Sequence, residues 1–513
     1  MTAETYTNPV LNADWSDPDV VRVGDDFYLT ASSFGRAPGL PLLHSRDLVN
    51  WTLVGHALER LEPAREFTGP RHDCGVWAPS LRHHDDRFWI FWGDPDQGIF
   101  QVNAPEIRGP WTRPHLVKAG KGLIDPCPLW DDTGEAYLVH AWAKSRSGVK
   151  NRLTGHRMRP DGTELLDDGK VIVDGDRIPG WFTLEGPKLY RHDGWFWILA
   201  PAGGVETGWQ GAFRSRGFFG PYEERIVLEQ QDTDVNGPHQ GGWVRTPSGE
   251  DWFLHFQQRG AYGRVVHLQP MRRGTDGWPV IGADGAPVAV HRRPDLPPQP
   301  PAAPATDDDF PGGRFGRQWS WTANPPPLSA SLERGDPHAG WATQHSGDGL
   351  KLACVRSADA HDLRRLPSVL TQRLPGTPSA VEVELRLDSR EPGARAGLTV
   401  LGDAFGWIGL QRGTDGAAHV VHRFAEAVAE RERDADHATL APEGRVRLRI
   451  EIGAGARCRF LYDVGDGPRA SGPVFAATPW RWVGALLGLF ALAPAGQGHA
   501  GAATFTQFRI SAL

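Results

Sequence analysis

Five short turns, each running straight into an aromatic strand signal, recur through the first half of the chain. They are Asp25-Asp26-Phe27-Tyr28-Leu29, Asp85-Asp86-Arg87-Phe88-Trp89-Ile90, Thr133-Gly134-Glu135-Ala136-Tyr137-Leu138, Asp193-Gly194-Trp195-Phe196-Trp197-Ile198 and Gly249-Glu250-Asp251-Trp252-Phe253-Leu254. Each reads as a turn opening a buried strand. Counted from Asp26 through Asp86, Gly134 and Gly194 to Glu250, they stand 60, 48, 60 and 56 residues apart. That is the spacing of one four-stranded sheet per repeat, and five such units predict a five-bladed β-propeller. In that architecture the first strand of each blade lines a central channel and the second returns outward through a hairpin.

A residue about nine positions before the return strand therefore belongs on the innermost strand. Asp17, Trp77, Asp125 and Glu185 each stand nine residues before their signal, and His239 stands eleven before Glu250. The symmetry predicts that these five side chains meet at the hub.

Six prolines between residues 294 and 304 cannot pair as strand and predict an extended linker. Beyond it the pattern changes to period-two strands such as Val381-Glu382-Val383-Glu384-Leu385-Arg386-Leu387, Arg445-Val446-Arg447-Leu448-Arg449-Ile450 and Phe505-Thr506-Gln507-Phe508-Arg509-Ile510. The expected organisation is all-β: a five-bladed propeller over residues 1–293, a Pro-rich linker over 294–306, and an antiparallel, jelly-roll-like β-sandwich over 307–513.

With 513 residues and 40% hydrophobic content the chain can bury large cores. Its 55 basic and 62 acidic residues give a net charge of -7 without a Lys/Arg block. Nucleic acid is therefore not an expected partner; a small neutral oligosaccharide is, and an oligomer is left open. The apolar run over residues 482–493 is too short to span a bilayer and reads as a buried strand pair, so no membrane partner is expected. The start, Met1-Thr2-Ala3-Glu4-Thr5, lacks the regions of a secretory signal. Cys74, Cys127, Cys354 and Cys458 form no CxxC pair and read as reduced thiols, so the expected location is cytoplasmic. No dinucleotide fingerprint or Walker-type loop is present, so no nucleotide cofactor is expected.

Three acids at one hub suit glycosidic hydrolysis, which needs a carboxylic acid to protonate the leaving oxygen and a carboxylate acting from the other face of the sugar. Asp17, beside Pro18, reads as the general base. Glu185 has the longer reach of an acid, and Asp125 is the anion that keeps it protonated. Trp77 offers a ring for sugar stacking and Phe34 closes the pocket. His239 is expected to bond the substrate or to hold a central cation through waters. Arg259 and Arg264 are both candidates for contacting hydroxyls. A non-catalytic carbohydrate-binding propeller is the rival reading, and it leaves an acid/base pair without a purpose.

The motifs Asn8-Pro9-Val10-Leu11, Asp17-Pro18-Asp19, His44-Ser45-Arg46-Asp47-Leu48-Val49-Asn50-Trp51, Gly75-Val76-Trp77-Ala78-Pro79, Asp125-Pro126, Glu185-Gly186-Pro187 and Gly237-Pro238-His239-Gln240-Gly241 resemble glycoside hydrolase family 43. The stretch Gln318-Trp319-Ser320-Trp321-Thr322-Ala323-Asn324-Pro325, with Asp309-Phe310, is similar to the sandwich of the β-xylosidase and α-L-arabinofuranosidase branch. The resemblance implies an inverting exo-glycosidase that removes terminal pentose from xylan or arabinoxylan oligosaccharides. Asp17 would be its base, Glu185 its acid, Asp125 the residue tuning and orienting that acid, and Arg264 the hydroxyl-binding arginine. His239 matches the histidine that in some members helps bind calcium; no other cofactor is implied. A β-1,4-xylosidase is favoured over an α-L-arabinofuranosidase or a bifunctional enzyme. Inversion implies about 6.5–9.5 Å between the Asp17 and Glu185 carboxyls. Arg36 stands where many relatives carry an aromatic residue, which leaves the shape of the sugar subsite open.

Overall fold

The computed structural model describes residues 4–326, 340–343, 347, 349–436, 439–498 and 500–513. Met1–Ala3, part of the start read above, and residues 327–339 of the expected sandwich lie outside the described residues. Five four-stranded antiparallel sheets follow one another between residues 19 and 281, each taking its strands in chain order. Their second strands are the five aromatic signals: Asp26–Thr30, Arg87–Asp94, Ala136–Trp142, Trp195–Ala202 and Asp251–Gln258.

These strands read as continuous apolar runs because both faces are covered. Side chains alternate across a strand, so Phe88, Ile90 and Trp92 join a cluster with the first sheet while Trp89 and Phe91 join one with the third. Likewise Phe196 and Ile198 face the third sheet while Trp197 and Leu199 face the fifth. A last cluster, in which Phe27 and Leu29 meet Trp252 and Leu254, packs the fifth sheet against the first and closes a ring of five blades. The amino-terminal strand Thr5–Thr7 pairs with Val290–Arg292 and fastens that closure.

Each innermost strand has one residue at positive φ just before or within its first three positions: Asp17 (55°), Ala78 (28°), Asp125 (56°), Gly186 (58°) and Gln240 (39°). A proline follows the first four, and Gly241 follows Gln240. This corrects the single nine-residue phase: Asp17 and Asp125 occupy the positive-φ position, whereas Trp77, Glu185 and His239 stand one residue earlier. Bulges between Trp77 and Ser80, Ile124 and Cys127, and His239 and Gly241 interrupt three of the inner ladders at this level. Such irregularities re-aim side chains that regular pleating would send into the blade interfaces.

Two residues beyond each positive-φ position come Asp19, Ser80, Cys127, Lys188 and Gly242, all buried. They fill the channel. Lys188 Nζ donates to Pro79 O and Ser80 Oγ, both at 2.8 Å, and stands 3.9 Å from Asp19 Oδ2. The same Asp19 oxygen accepts from Arg82 Nη1 at 2.7 Å, and Cys127 Sγ accepts from the Leu189 N–H at 3.1 Å. Gly242 is required here, because a Cβ would come within 2.7 Å of Asp19 Oδ1.

Residues 293–310 contain no helix or regular strand. Beyond them two sheets pack face to face over a core that includes Trp321, Val381, Leu398, Leu448, Leu489 and Phe505. The apolar run over 482–493 is not a strand pair. Leu486–Pro494 is one strand, flanked by Leu370–Arg373 and Arg395–Leu401, so it is apolar because both its edges and faces are covered. One pairing, Val355–Ser357 with Leu492–Pro494, is parallel in an otherwise antiparallel sandwich. No described helix is long and apolar enough to cross a membrane.

The sandwich is bonded to the propeller. Asn324 Oδ1 accepts from the Leu61 N–H at 2.8 Å while its Nδ2 donates to Leu61 O at 2.9 Å. Ala37 and Trp321 pair through their backbones. Phe34 and Trp77 extend into a cluster with Phe405, Trp480 and Trp482 of the sandwich.

Candidate active site

Four of the five hub residues line one cavity. Asp17, Trp77, Asp125 and Glu185 surround it with Phe34, Ala78, Ile124, Gln240, Arg264 and Trp482. His239 does not line it.

Asp17 is buried at the mouth of the first inner strand. Its Oδ1 accepts from Arg264 Nη1 at 2.7 Å and its Oδ2 from Ser32 Oγ at 2.6 Å. Ser32 Oγ itself accepts from the Ala78 N–H at 2.7 Å, which ties the base to the second blade. Arg264 is fixed in turn: its backbone N–H donates to Asp14 Oδ1 at 3.0 Å and its guanidinium lies 4.6 Å from the Phe256 ring centre. Arg259 points elsewhere, donating to Asn12 Oδ1 at 3.2 Å.

Asp125 Oδ2 accepts from the Gly186 N–H at 2.8 Å. Unlike its counterparts in the other blades, Gly186 has no room for a side chain, since a Cβ would stand 2.8 Å from Gln240 Cγ. Burial, and after it the charge of Glu185, raises the pKa of Asp125 well above the ordinary carboxylate range; the Gly186 N–H and Lys188 pull it the other way. The sequence pointed to Asp125 as the charged partner, yet in the free protein it holds its proton more tightly than an ordinary aspartate. The reason is its depth in the hub, at 4% exposure, together with the Glu185 charge beside it.

Glu185 Oε1 stands 3.0 Å from His239 Nε2. The expected contact between His239 and substrate is therefore corrected: the ring is wholly buried behind Glu185 and reaches the sugar site only through that carboxyl. Among the described residues His239 Nδ1, which is buried, has no hydrogen-bond partner. Calcium takes six to eight oxygen ligands, and among the described residues no three His, Cys, Asp or Glu side chains converge on a common point. The described residues do not build a calcium shell by themselves, so a hub calcium would depend on water ligands.

The aromatic wall is shared by both halves of the chain. Trp77 lies 6.2 Å from Phe34 and 6.0 Å from Trp482, ring centre to ring centre. Trp482 comes from the sandwich and had no signal in the sequence, nor had Ser32 or Ile124. Gln240 had one, since it follows His239 at the hub. Arg36 turns away from the cavity, its Nε donating to Ser33 O at 3.2 Å, so the departure from the family pattern falls at the propeller–sandwich contact.

Residues 6–279 match the family profile described as glycosyl hydrolases family 43. The chain belongs to glycoside hydrolase family 43. Residues 307–511 match the β-xylosidase C-terminal concanavalin A-like domain. A relative from Xylanibacter ruminicola with a provisional β-xylosidase name is 38% identical over 414 residues, covering 79% of this chain and 72% of that protein. A non-reducing end α-L-arabinofuranosidase from Bacteroides ovatus is 31% identical over 349 residues, 63% of this chain and 62% of the relative. The fold is that of the xylan β-1,4-xylosidase from Bacillus halodurans, with a TM-score of 0.85, 23% identity, and coverage of 98% of this chain and 99% of that one. This family 43 protein is a glycoside hydrolase of the β-xylosidase and arabinofuranosidase group, which displaces the non-catalytic reading.

Proposed function

We propose that this family 43 hydrolase removes terminal pentose from short xylan-derived oligosaccharides with inversion at the anomeric carbon, β-1,4-linked xylose being its main substrate. The observation that carries the reading is the placement of Asp17, Asp125 and Glu185 on one cavity whose wall includes the rings of Phe34, Trp77 and Trp482. Asp17, oriented by Arg264 and Ser32, draws a proton from a water that attacks the anomeric carbon. Glu185 gives its proton to the leaving oxygen. Burial, and after it the neighbouring Glu185 charge, raises the pKa of Asp125, so in the free protein the residue beside the acid carries little opposing charge. Each acid or base contributes on the order of 10²–10⁴ in rate.

Asp17→Asn and Glu185→Gln should each lose about 10²–10⁴ in kcat while xylobiose binding, read by calorimetry, survives. Proton NMR of the first turnovers on an aryl β-D-xylopyranoside should show α-xylose; β-xylose appearing first would sink inversion. The α-L-arabinofuranoside analogue is the second substrate to try, because one relative is named for that activity. Failure to cleave either analogue removes the pentosidase reading. The four cysteines are buried and unpaired, which supports action in a reducing compartment such as the cytoplasm, to be checked by cell fractionation.

A further inference from the structure

Behind Phe34, where the first blade meets the sandwich, a small cleft holds two arginines. Arg36 comes from the propeller and is 9% exposed; Arg373 comes from the sandwich and is part-buried. Both line the cleft, and no carboxylate does. Among the described residues neither guanidinium has a carboxylate within ion-pair distance, 4.0 Å. Asp14 acts on both arginines only at a distance: its Oδ1 accepts from Ser16 Oγ and the Arg264 N–H at 2.8 and 3.0 Å, and its Oδ2 from the Gly484 N–H at 3.3 Å.

Among the described residues the Arg36 side chain bonds Ser33 O alone, through Nε, and neither Nη group has a protein acceptor. Arg373 donates from Nε to Asp14 O and lies 3.6 Å over the Trp15 ring. A π face spreads a cation's charge without neutralising it. Burial, followed by repulsion from Arg36, brings the pKa of Arg373 down to about 9, so both groups remain charged at neutral pH. Two like charges withdrawn from water are costly unless an anion joins them. Ser33 Oγ accepts from the Leu40 N–H at 3.1 Å and keeps its own proton to donate into the same space.

We propose that this cleft is a binding site for one small inorganic anion of about the size of chloride, held between Arg36 and Arg373 and joining propeller to sandwich. The cleft carries two cations and no carboxylate, with Gln318 and Gln372 on its sandwich side, and its volume of about 10 Å³ suits a single small ion. A six-carbon acid such as gluconate is too large for it. The anion is bound by the folded assembly and not by the unfolded chain, so it should raise the melting temperature by mass action.

The test is the melting temperature of the full chain in sodium chloride and in sodium gluconate at equal ionic strength. Chloride should give a melting point about 1–3 °C higher, and Arg36→Met should abolish the difference. Should that variant not fold, bromide soaked into wild-type crystals and located by its anomalous scattering decides the matter, with the peak expected between Arg36 and Arg373. Equal melting points in the two salts, an undiminished chloride effect in Arg36→Met, or a bromide-free cleft would each overturn the proposal.

Discussion

Arg264 Nη1 and Asp17 Oδ1 lie 2.7 Å apart, with both side chains only 6% exposed. The last blade thus grips the carboxylate of the first, and the ring closes at the chemistry itself.

Breaking that pair from one side leaves a buried charge. Arg264→Met should cost about 3–5 kcal/mol of stability and reduce kcat/KM. Adding Asp17→Asn should restore much of the stability and none of the activity. Urea denaturation of the three variants measures this, and additive losses in the double variant would disprove the coupling.

The raised pKa of Asp125 has a signed consequence for stability. Between its ordinary value of 3.8 and its higher folded value, the native state holds a proton that the unfolded chain releases. Its contribution is therefore complete below the ordinary value and is lost as pH climbs toward the folded one, by up to about 1.4 kcal/mol per pH unit. Asp125→Asn should flatten this slope in urea midpoints taken from pH 4.5 upward. Parallel slopes for variant and wild type would show that the carboxyl is not held neutral.

Trp482 makes the sandwich part of the sugar site. Trp482→Ala removes one aromatic contact and should lower kcat/KM by about 10–100-fold, the scale of one lost apolar contact in a substrate pocket, with little change in urea midpoint. Unchanged kinetics would reduce the sandwich to a support.

Lys188 is wholly buried with Asp19 in the channel. Lys188→Met should destabilise by about 1–3 kcal/mol, because buried Pro79 O and Ser80 Oγ lose their donor while Asp19 keeps its pair with Arg82. Because Lys188 also draws the Asp125 pKa down, the variant should retain the Asp125 proton to higher pH, visible by carboxyl NMR.

The blades could be read from the sequence because their strands are covered on both faces. Trp195-Phe196-Trp197-Ile198 feeds two interfaces at once, so the run is apolar throughout and stands out. The three acids were legible because the repeat supplies a phase for them. That phase was blurred by one residue, since hairpin length varies between blades while the positive-φ entry does not; the Pro after Asp17, Ala78, Asp125 and Gly186 is the truer marker. Trp482 could not be found this way. It belongs to a different repeat system, and only the docking of the sandwich brings it to Trp77. The proton preference of Asp125 likewise depends on depth in the hub, which residue order does not encode.

The ring of Asp19, Ser80, Cys127, Lys188 and Gly242 leaves no lower exit from the hub. Under the proposed reaction substrate and product share one doorway, and the freed monosaccharide must back out before the next chain end can enter. Such a site takes one sugar per visit and cannot slide along a polymer. Its throughput is then governed by how quickly it empties, and accumulated pentose would act as its brake.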